Sequence, residues 1–123
     1  GSTFGGNPVA AAAGNALLAV LTAPGFLPEV KKKSHLLIRT LQRLKNKHPR
    51  LVREVRGLGL LVGIELSGNA QQAVAHALAH GLLINNPTGQ VIRILPPYTV
   101  TDEEIELFAE KFDAALARCE KGA

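Results

Sequence analysis

The chain has 123 residues, enough for one hydrophobic core and too few for two domains. Its 46% hydrophobic and 20% charged residues are those of a folded globular protein, with a core built from Leu, Ile, Val and Ala because aromatics are few and Met and Trp are absent. The net charge of +4 includes one dense basic run, Lys31-Lys32-Lys33, on a helical pattern without interleaved aromatics; a solvated helix face explains it, and no nucleic-acid partner is expected.

Cys119 is the single cysteine, so neither an intramolecular disulfide nor a cysteine-based zinc site can form, and a reducing, cytoplasmic setting is expected. No apolar run approaches the ~20 residues of a membrane span, and no membrane association is expected. The chain opens inside a motif and reads as a piece of something longer.

That motif is Gly1-Ser2-Thr3-Phe4-Gly5-Gly6-Asn7-Pro8. Asn7 is placed to cap a following helix, and Pro8 suits the first helical position, where its missing N–H has no partner to lose. The glycines allow a sharp turn and a close approach. With Ser2 and Thr3 as hydroxyl donors, the loop is either a plain helix cap or a cradle for an anion such as phosphate.

An Ala- and Leu-rich helix is predicted from Pro8 to about Leu21, ended by Ala23-Pro24-Gly25. A second runs from about Pro28 to Lys47, with Val30, Leu37, Leu41 and Leu44 near one stripe and Lys31, Lys32, Arg39, Arg43 and Lys47 largely off it. His48-Pro49 closes it. Leu51 to Leu66 reads as strands, with a change of direction or a bulge at Gly57 and Gly59 and a close backbone approach at Gly63. The run Arg56-Gly57-Leu58-Gly59-Leu60 is not a dinucleotide fingerprint, because the third glycine is missing and a strand follows where a helix should open.

Ser67-Gly68-Asn69 is a predicted turn, followed by a short helix from Ala70 to about His80 and a stop at Gly81. His76 and His80 stand four apart, a spacing compatible with zinc, but no acidic or cysteine partner lies at a recognised distance; they read as ordinary histidines, and no metal is expected. Leu82–Ile84 and Val91–Leu95 read as two strands around the loop 85–90, with Pro96-Pro97 ending the second. Thr101 and Glu104 form a capping box ahead of a last helix with Ile105, Phe108, Phe112 and Leu116 on its apolar stripe.

Arg93 is out of place. It interrupts an apolar strand and shares a face with Val91 and Leu95. An arginine there must end in a salt bridge, at solvent or at a ligand, because an unpaired buried guanidinium is too unfavourable. A structural ion pair and a carboxylate-binding role both fit, the second because guanidinium grips a carboxylate through two parallel hydrogen bonds.

Three stretches resemble one family in its order. Gly1-Ser2-Thr3-Phe4-Gly5-Gly6-Asn7-Pro8 is similar to the GSTFGGNP segment of the class III (ornithine-type) pyridoxal-phosphate aminotransferases, the acetylornithine-type enzymes in particular. Arg56-Gly57-Leu58-Gly59-Leu60 resembles their R-G-x-G-L segment, and Val91-Ile92-Arg93-Ile94-Leu95-Pro96-Pro97 their strand ending in R-x-x-P-P. The resemblance implies the C-terminal part of a fold-type-I homodimer. Its implied fold is α/β (α+β), a small antiparallel sheet from about Val52 to Leu95 with helices packed on one face. Residues 1–22 would form a loop and linking helix to a large domain, and residues 23–123 the C-terminal small domain.

By the same resemblance Thr3, with Ser2 close by, would donate to the phosphate of pyridoxal phosphate held by the neighbouring subunit. Arg93 would fix the carboxylate of the amino-acid and 2-oxo-acid substrates. The lysine that bonds the cofactor, the aspartate facing its ring nitrogen and the aromatic stacked on it belong to the upstream part of the family pattern. The chain alone is therefore expected to be inactive and not to hold the cofactor. The implied reaction moves an amino group between N-acetylornithine, or a similar ω-amino compound, and 2-oxoglutarate, in arginine or lysine biosynthesis. The other reading is a free-standing α/β module that grips a small anion through Ser2, Thr3 and Arg93.

Overall fold

A computed structural model describes residues 1–68 and 70–121 of the chain. The elements run α1 (Pro8–Leu21), α2 (Phe26–Lys47), β1 (Val52–Leu58), β2 (Leu61–Leu66), α3 (Ala70–Ala79), β3 (Val91–Ile94) and α4 (Asp102–Lys121). Asn69, the last residue of the predicted turn, lies outside the described residues.

The strands form one antiparallel sheet in the order β1-β2-β3. Side chains alternate across it. Val62, Ile64 and Leu66 of β2 and Ile92 and Ile94 of β3 point into the core, where they meet Leu37, Leu41 and Leu44 of α2 and Ile105, Phe112 and Leu116 of α4. The 3.6-residue stripes predicted for α2 and α4 are thus the buried ones. Ala70, Ala73 and Ala77 of α3 are fully buried, and their small side chains bring α3 close to α4. The helices lie on one face of the sheet; the other face, carrying Glu54, Arg56, Gly63, Glu65, Val91 and Arg93, is uncovered.

The termini follow from local chemistry. The Oδ1 of Asn7 accepts from the Ala10 N–H at 2.9 Å, with Pro8 at the first helical position of α1. At α4 the capping box is reciprocal: Glu104 Oε2 accepts from the Thr101 N–H at 2.8 Å, and Thr101 Oγ1 from the Glu104 N–H at 3.2 Å. α2 starts two residues before the predicted Pro28. Gly25, at φ 91°, turns the chain into it, and Pro28 falls in the first turn, where N–H groups have no helical partner.

Of the glycine expectations, the change of direction holds at Gly59 and the close approach moves from Gly63 to Gly57. Gly59, at φ 62°, reverses the chain between Leu58 and Leu61, as a two-residue hairpin requires. The register irregularity lies at Val52/Glu54 instead of at the glycines. The close backbone approach is at Gly57, where a Cβ would stand 2.2 Å from the Leu61 carbonyl oxygen; at Gly63 the nearest atom is a Val91 methyl carbon at 3.4 Å.

Leu82–Ile84 is not a strand. Gly81 takes a left-handed φ of 68°, and the Leu82 N–H donates to the Ala77 carbonyl, so this residue belongs to the stop of α3. Only one bridge follows, Asn85 with Arg93. Leu82 and Ile84 still pack against the core as an irregular segment.

α1 stands apart from this body. None of its residues is buried, and Val9, Leu17, Leu18 and Val20 are exposed. It meets α2 at a bend of 71°, and among the described residues no single helix is long and apolar enough to cross a membrane.

Candidate functional site

Arg93 is exposed on the uncovered face of the sheet, between core residues Ile92 and Ile94. Its backbone is fixed on both sides. It pairs with Gly63 of β2 on one side, and on the other its N–H donates to the Asn85 carbonyl at 2.9 Å. The Asn86 Nδ2 donates to the Val91 carbonyl at 3.0 Å, so 85–86 closes the outer edge of β3. Among the described residues no carboxylate lies within ion-pair distance of the Arg93 guanidinium. The structural ion pair that would have explained an arginine in this strand is absent there.

Beside it lies a pocket of about 210 Å³, lined by Arg93 and Glu104 with Leu83, Ile84, Leu95, Pro96 and Phe108. The apolar part of this wall strengthens the attraction of the Arg93 cation for an anion, and the Glu104 carboxylate on the same wall accepts from the Thr101 N–H. A larger groove of about 880 Å³ runs between α2 and α4, but its cations are paired, Arg43 with Glu106 at 2.8 Å and Lys47 with Asp113 at 2.6 Å. It contains no candidate residue.

The opening loop is closed on itself. Ser2 Oγ accepts from the Gly5 N–H at 2.9 Å, and the Asn7 Nδ2 donates to the Phe4 carbonyl at 2.8 Å. Ser2 keeps its hydroxyl hydrogen for donation, and the Thr3 hydroxyl has no partner among the described residues. Two exposed hydroxyl donors on a glycine-turned loop at a helix start fit a phosphate group. The pocket beside Arg93 includes neither of them, so within this chain the loop and the arginine lie apart.

Two clusters escape sequence reasoning. Arg56 Nη1 donates to Glu54 Oε2 at 2.6 Å and to Glu65 Oε2 at 2.7 Å, and these carboxylates raise the arginine's already high pKa. Glu54 and Arg56 are two apart on a strand, which hints at a shared face, but the Glu65 partner depends on cross-strand register. The second cluster centres on His48, only 3% exposed, with ring nitrogens 2.8 Å from Asp113 Oδ1 and 2.9 Å from Glu120 Oε2. It ties the end of α2 to α4. The sequence marked His48 only as a helix stop.

The family model of class-III aminotransferases matches residues 1–116. An acetylornithine aminotransferase of Caldanaerobacter subterraneus subsp. tengcongensis is 45% identical over 117 residues, 94% of this chain and 30% of that protein. One of Rhodobacter capsulatus is 38% identical over 120 residues, 98% of this chain and 30% of that protein. Among solved structures, the N-acetylornithine aminotransferase of Stenotrophomonas maltophilia K279a superposes with a TM-score of 0.85 at 31% identity, over 96% of this chain and 33% of that one. The ornithine aminotransferase of Plasmodium yoelii does so with a TM-score of 0.86 at 29% identity, over 96% and 32%. The chain thus spans about 30% of the length of the curated relatives it matches. Matched by the family model over nearly its whole length and by relatives of this identity, the chain belongs to the class-III aminotransferase family.

Proposed function

We propose that this chain is the C-terminal part of an aminotransferase that moves an amino group between N-acetylornithine, or a similar ω-amino compound, and 2-oxoglutarate. Residues 1–22 join it to a large domain, and residues 23–123 form the small domain. The parent is a cytoplasmic homodimer of arginine or lysine biosynthesis, and the chain alone is inactive. The observation that carries this reading is Arg93: a guanidinium on the open face of the sheet, fixed at its backbone and with no carboxylate at ion-pair distance among the described residues.

Arg93 binds the α-carboxylate of the amino donor and, in the second half of the cycle, a carboxylate of 2-oxoglutarate. Two parallel N–H···O bonds set the position and rotation of the substrate, so that its reacting carbon is presented in one orientation. Thr3, with Ser2 close by, would donate a hydroxyl hydrogen bond to the phosphate of pyridoxal phosphate held by the neighbouring subunit. When bound, that cofactor supplies the electron sink; this chain supplies placement and charge.

The test is Arg93→Ala in the full-length enzyme. Loss of a bidentate charged contact is worth about 2–5 kcal/mol, so KM for both carboxylate substrates should rise by more than tenfold. If both KM values stay put, the arginine is structural and the reading fails. Thr3→Ala should speed cofactor loss on dialysis without moving either KM to the same degree.

A further inference from the structure

We propose that Asn86 is a positioning residue for Arg93: its side-chain amide supplies the edge hydrogen bond that Pro87 cannot, and so steadies the strand that presents the guanidinium. This rests on the carboxylate-binding reading of Arg93.

The inference comes from register. β3 pairs with β2 through Ile92 with Ile64 and Ile94 with Val62, and Arg93 lies between them opposite Gly63. In an antiparallel ladder the N–H and C=O of one residue point to the same side, and successive residues point to opposite sides. The Arg93 N–H points away from β2, since it donates to the Asn85 carbonyl at 2.9 Å. The backbone groups of Val91, two residues earlier, point the same way. Val91 and Arg93 thus carry the outer edge of β3, and the chain that runs along that edge begins at the bridge between Asn85 and Arg93.

One further antiparallel step from that bridge sets residue 87 opposite Val91. A residue in that position donates its N–H to the Val91 carbonyl, but residue 87 is proline and has no N–H to give. The neighbouring side chain fills the gap. Half-buried Asn86 donates from Nδ2 to the Val91 carbonyl at 3.0 Å, so an amide side chain takes the place of the missing backbone donor.

The far end of the same loop is tied down elsewhere: the Gly89 and Gln90 carbonyls accept from the Ala70 and Leu66 N–H groups at 3.1 and 2.9 Å. At its near end the loop holds β3 through the bonds of Asn85 to Arg93 and of Asn86 to Val91. Gly63 adds no side chain beside the arginine, so the placement of Arg93 depends on its backbone. Two parallel bonds to a carboxylate need a guanidinium that is well placed and well oriented, and a looser edge weakens both bonds together.

Variants of the full-length holoenzyme test this. Asn86→Ala should raise KM for both carboxylate substrates about fivefold, the scale of one hydrogen bond, with kcat nearly unchanged. The inhibition constant of glutarate, an unreactive dicarboxylate, should rise in parallel, while cofactor retention on dialysis stays as in the parent. In an Arg93→Ala background the same substitution should move KM by less than about twofold, because its effect passes through the guanidinium. Adding Pro87→Ala to Asn86→Ala should bring KM back to within about twofold of the parent, since residue 87 then has an N–H for the Val91 carbonyl.

An unchanged KM in Asn86→Ala overturns the proposal. So does a rise that persists in full in the Arg93→Ala background, which would make Asn86 a general support of the loop, and so does a rise that Pro87→Ala leaves in place. Should Asn86→Ala be poorly folded, Asn86→Ser serves instead: its side chain is one bond too short for the Val91 carbonyl, and the same rise is expected. If Arg93→Ala moves KM and Asn86→Ala does not, only the positioning role fails; if Arg93→Ala moves nothing, the carboxylate-binding reading fails first.

Discussion

α1 and α4 are both regular, well-capped helices, yet they hold opposite places in the molecule. α4 buries Ile105, Ala109, Phe112, Ala115, Leu116 and Cys119 against the sheet and its neighbours, whereas α1 buries nothing. The stability of α4 comes from packing; that of α1, in this chain, comes mostly from propensity and from its Asn7 and Thr22 caps. An Ala- and Leu-rich helix with Val9, Leu17, Leu18 and Val20 in solvent is the least packed helix of the chain, and the hydroxyl-bearing loop lies at its start. The loop thus belongs to the loosely packed region and Arg93 to the self-contained one.

The contrast can be broken most sharply at Phe112. It is fully buried and stacks on Phe108 with ring centroids 5.5 Å apart, so Phe112→Ala should destabilise the chain by about 3–5 kcal/mol in urea unfolding. Next is Gly57→Ala, which drives a Cβ into the Leu61 carbonyl at 2.2 Å; a loss of about 1–3 kcal/mol is expected from the same measurement. A result near zero would mean that the hairpin adjusts freely.

The third effect depends on pH. Burial alone would raise the carboxyl pKa of Asp113, but hydrogen bonds and charge from Lys47 and His48 outweigh it and hold the pKa below its ordinary value. A carboxyl with a depressed folded pKa stabilises the fold above its unfolded pKa, near about 3.9, and loses that stabilisation as pH falls through the folded value. Thermal melts should thus show a stability loss as pH falls below about 4, and Asp113→Asn should flatten that part of the profile. The smallest effect belongs to α1: Leu17→Ala should change unfolding of this chain by no more than about 0.5 kcal/mol. A larger loss would show that α1 is packed after all.

What the sequence disclosed follows from what is local. The stripes of α2 and α4 were legible because burial there repeats at the helical period over about three to four turns. The cap of α1 and the capping box of α4 were legible because each is decided within three residues. Leu82–Ile84 was misread because a three-residue apolar run has no period to distinguish strand from irregular core chain, and because the Leu82 N–H is committed to the α3 stop.

Arg93 stood out as a single charge in an apolar run, a signal that needs no partner to be seen. Glu65 did not stand out, since its role depends on which residue of β1 it faces, and the irregularity at Val52/Glu54 shifts that register. The His48 cluster was hidden for a similar reason: its partners Asp113 and Glu120 are 65 and 72 residues away. Contacts set by register or by distant packing have no trace in local composition.

The central proposal is that Arg93 binds a substrate carboxylate, and the most direct measurement is a crystal structure of the full-length holoenzyme with glutarate. The account predicts one glutarate carboxylate lying flat against Arg93, with two N–H···O bonds of about 2.7–2.9 Å. Glutarate bound elsewhere, with Arg93 locked to a carboxylate of the protein itself, would contradict it.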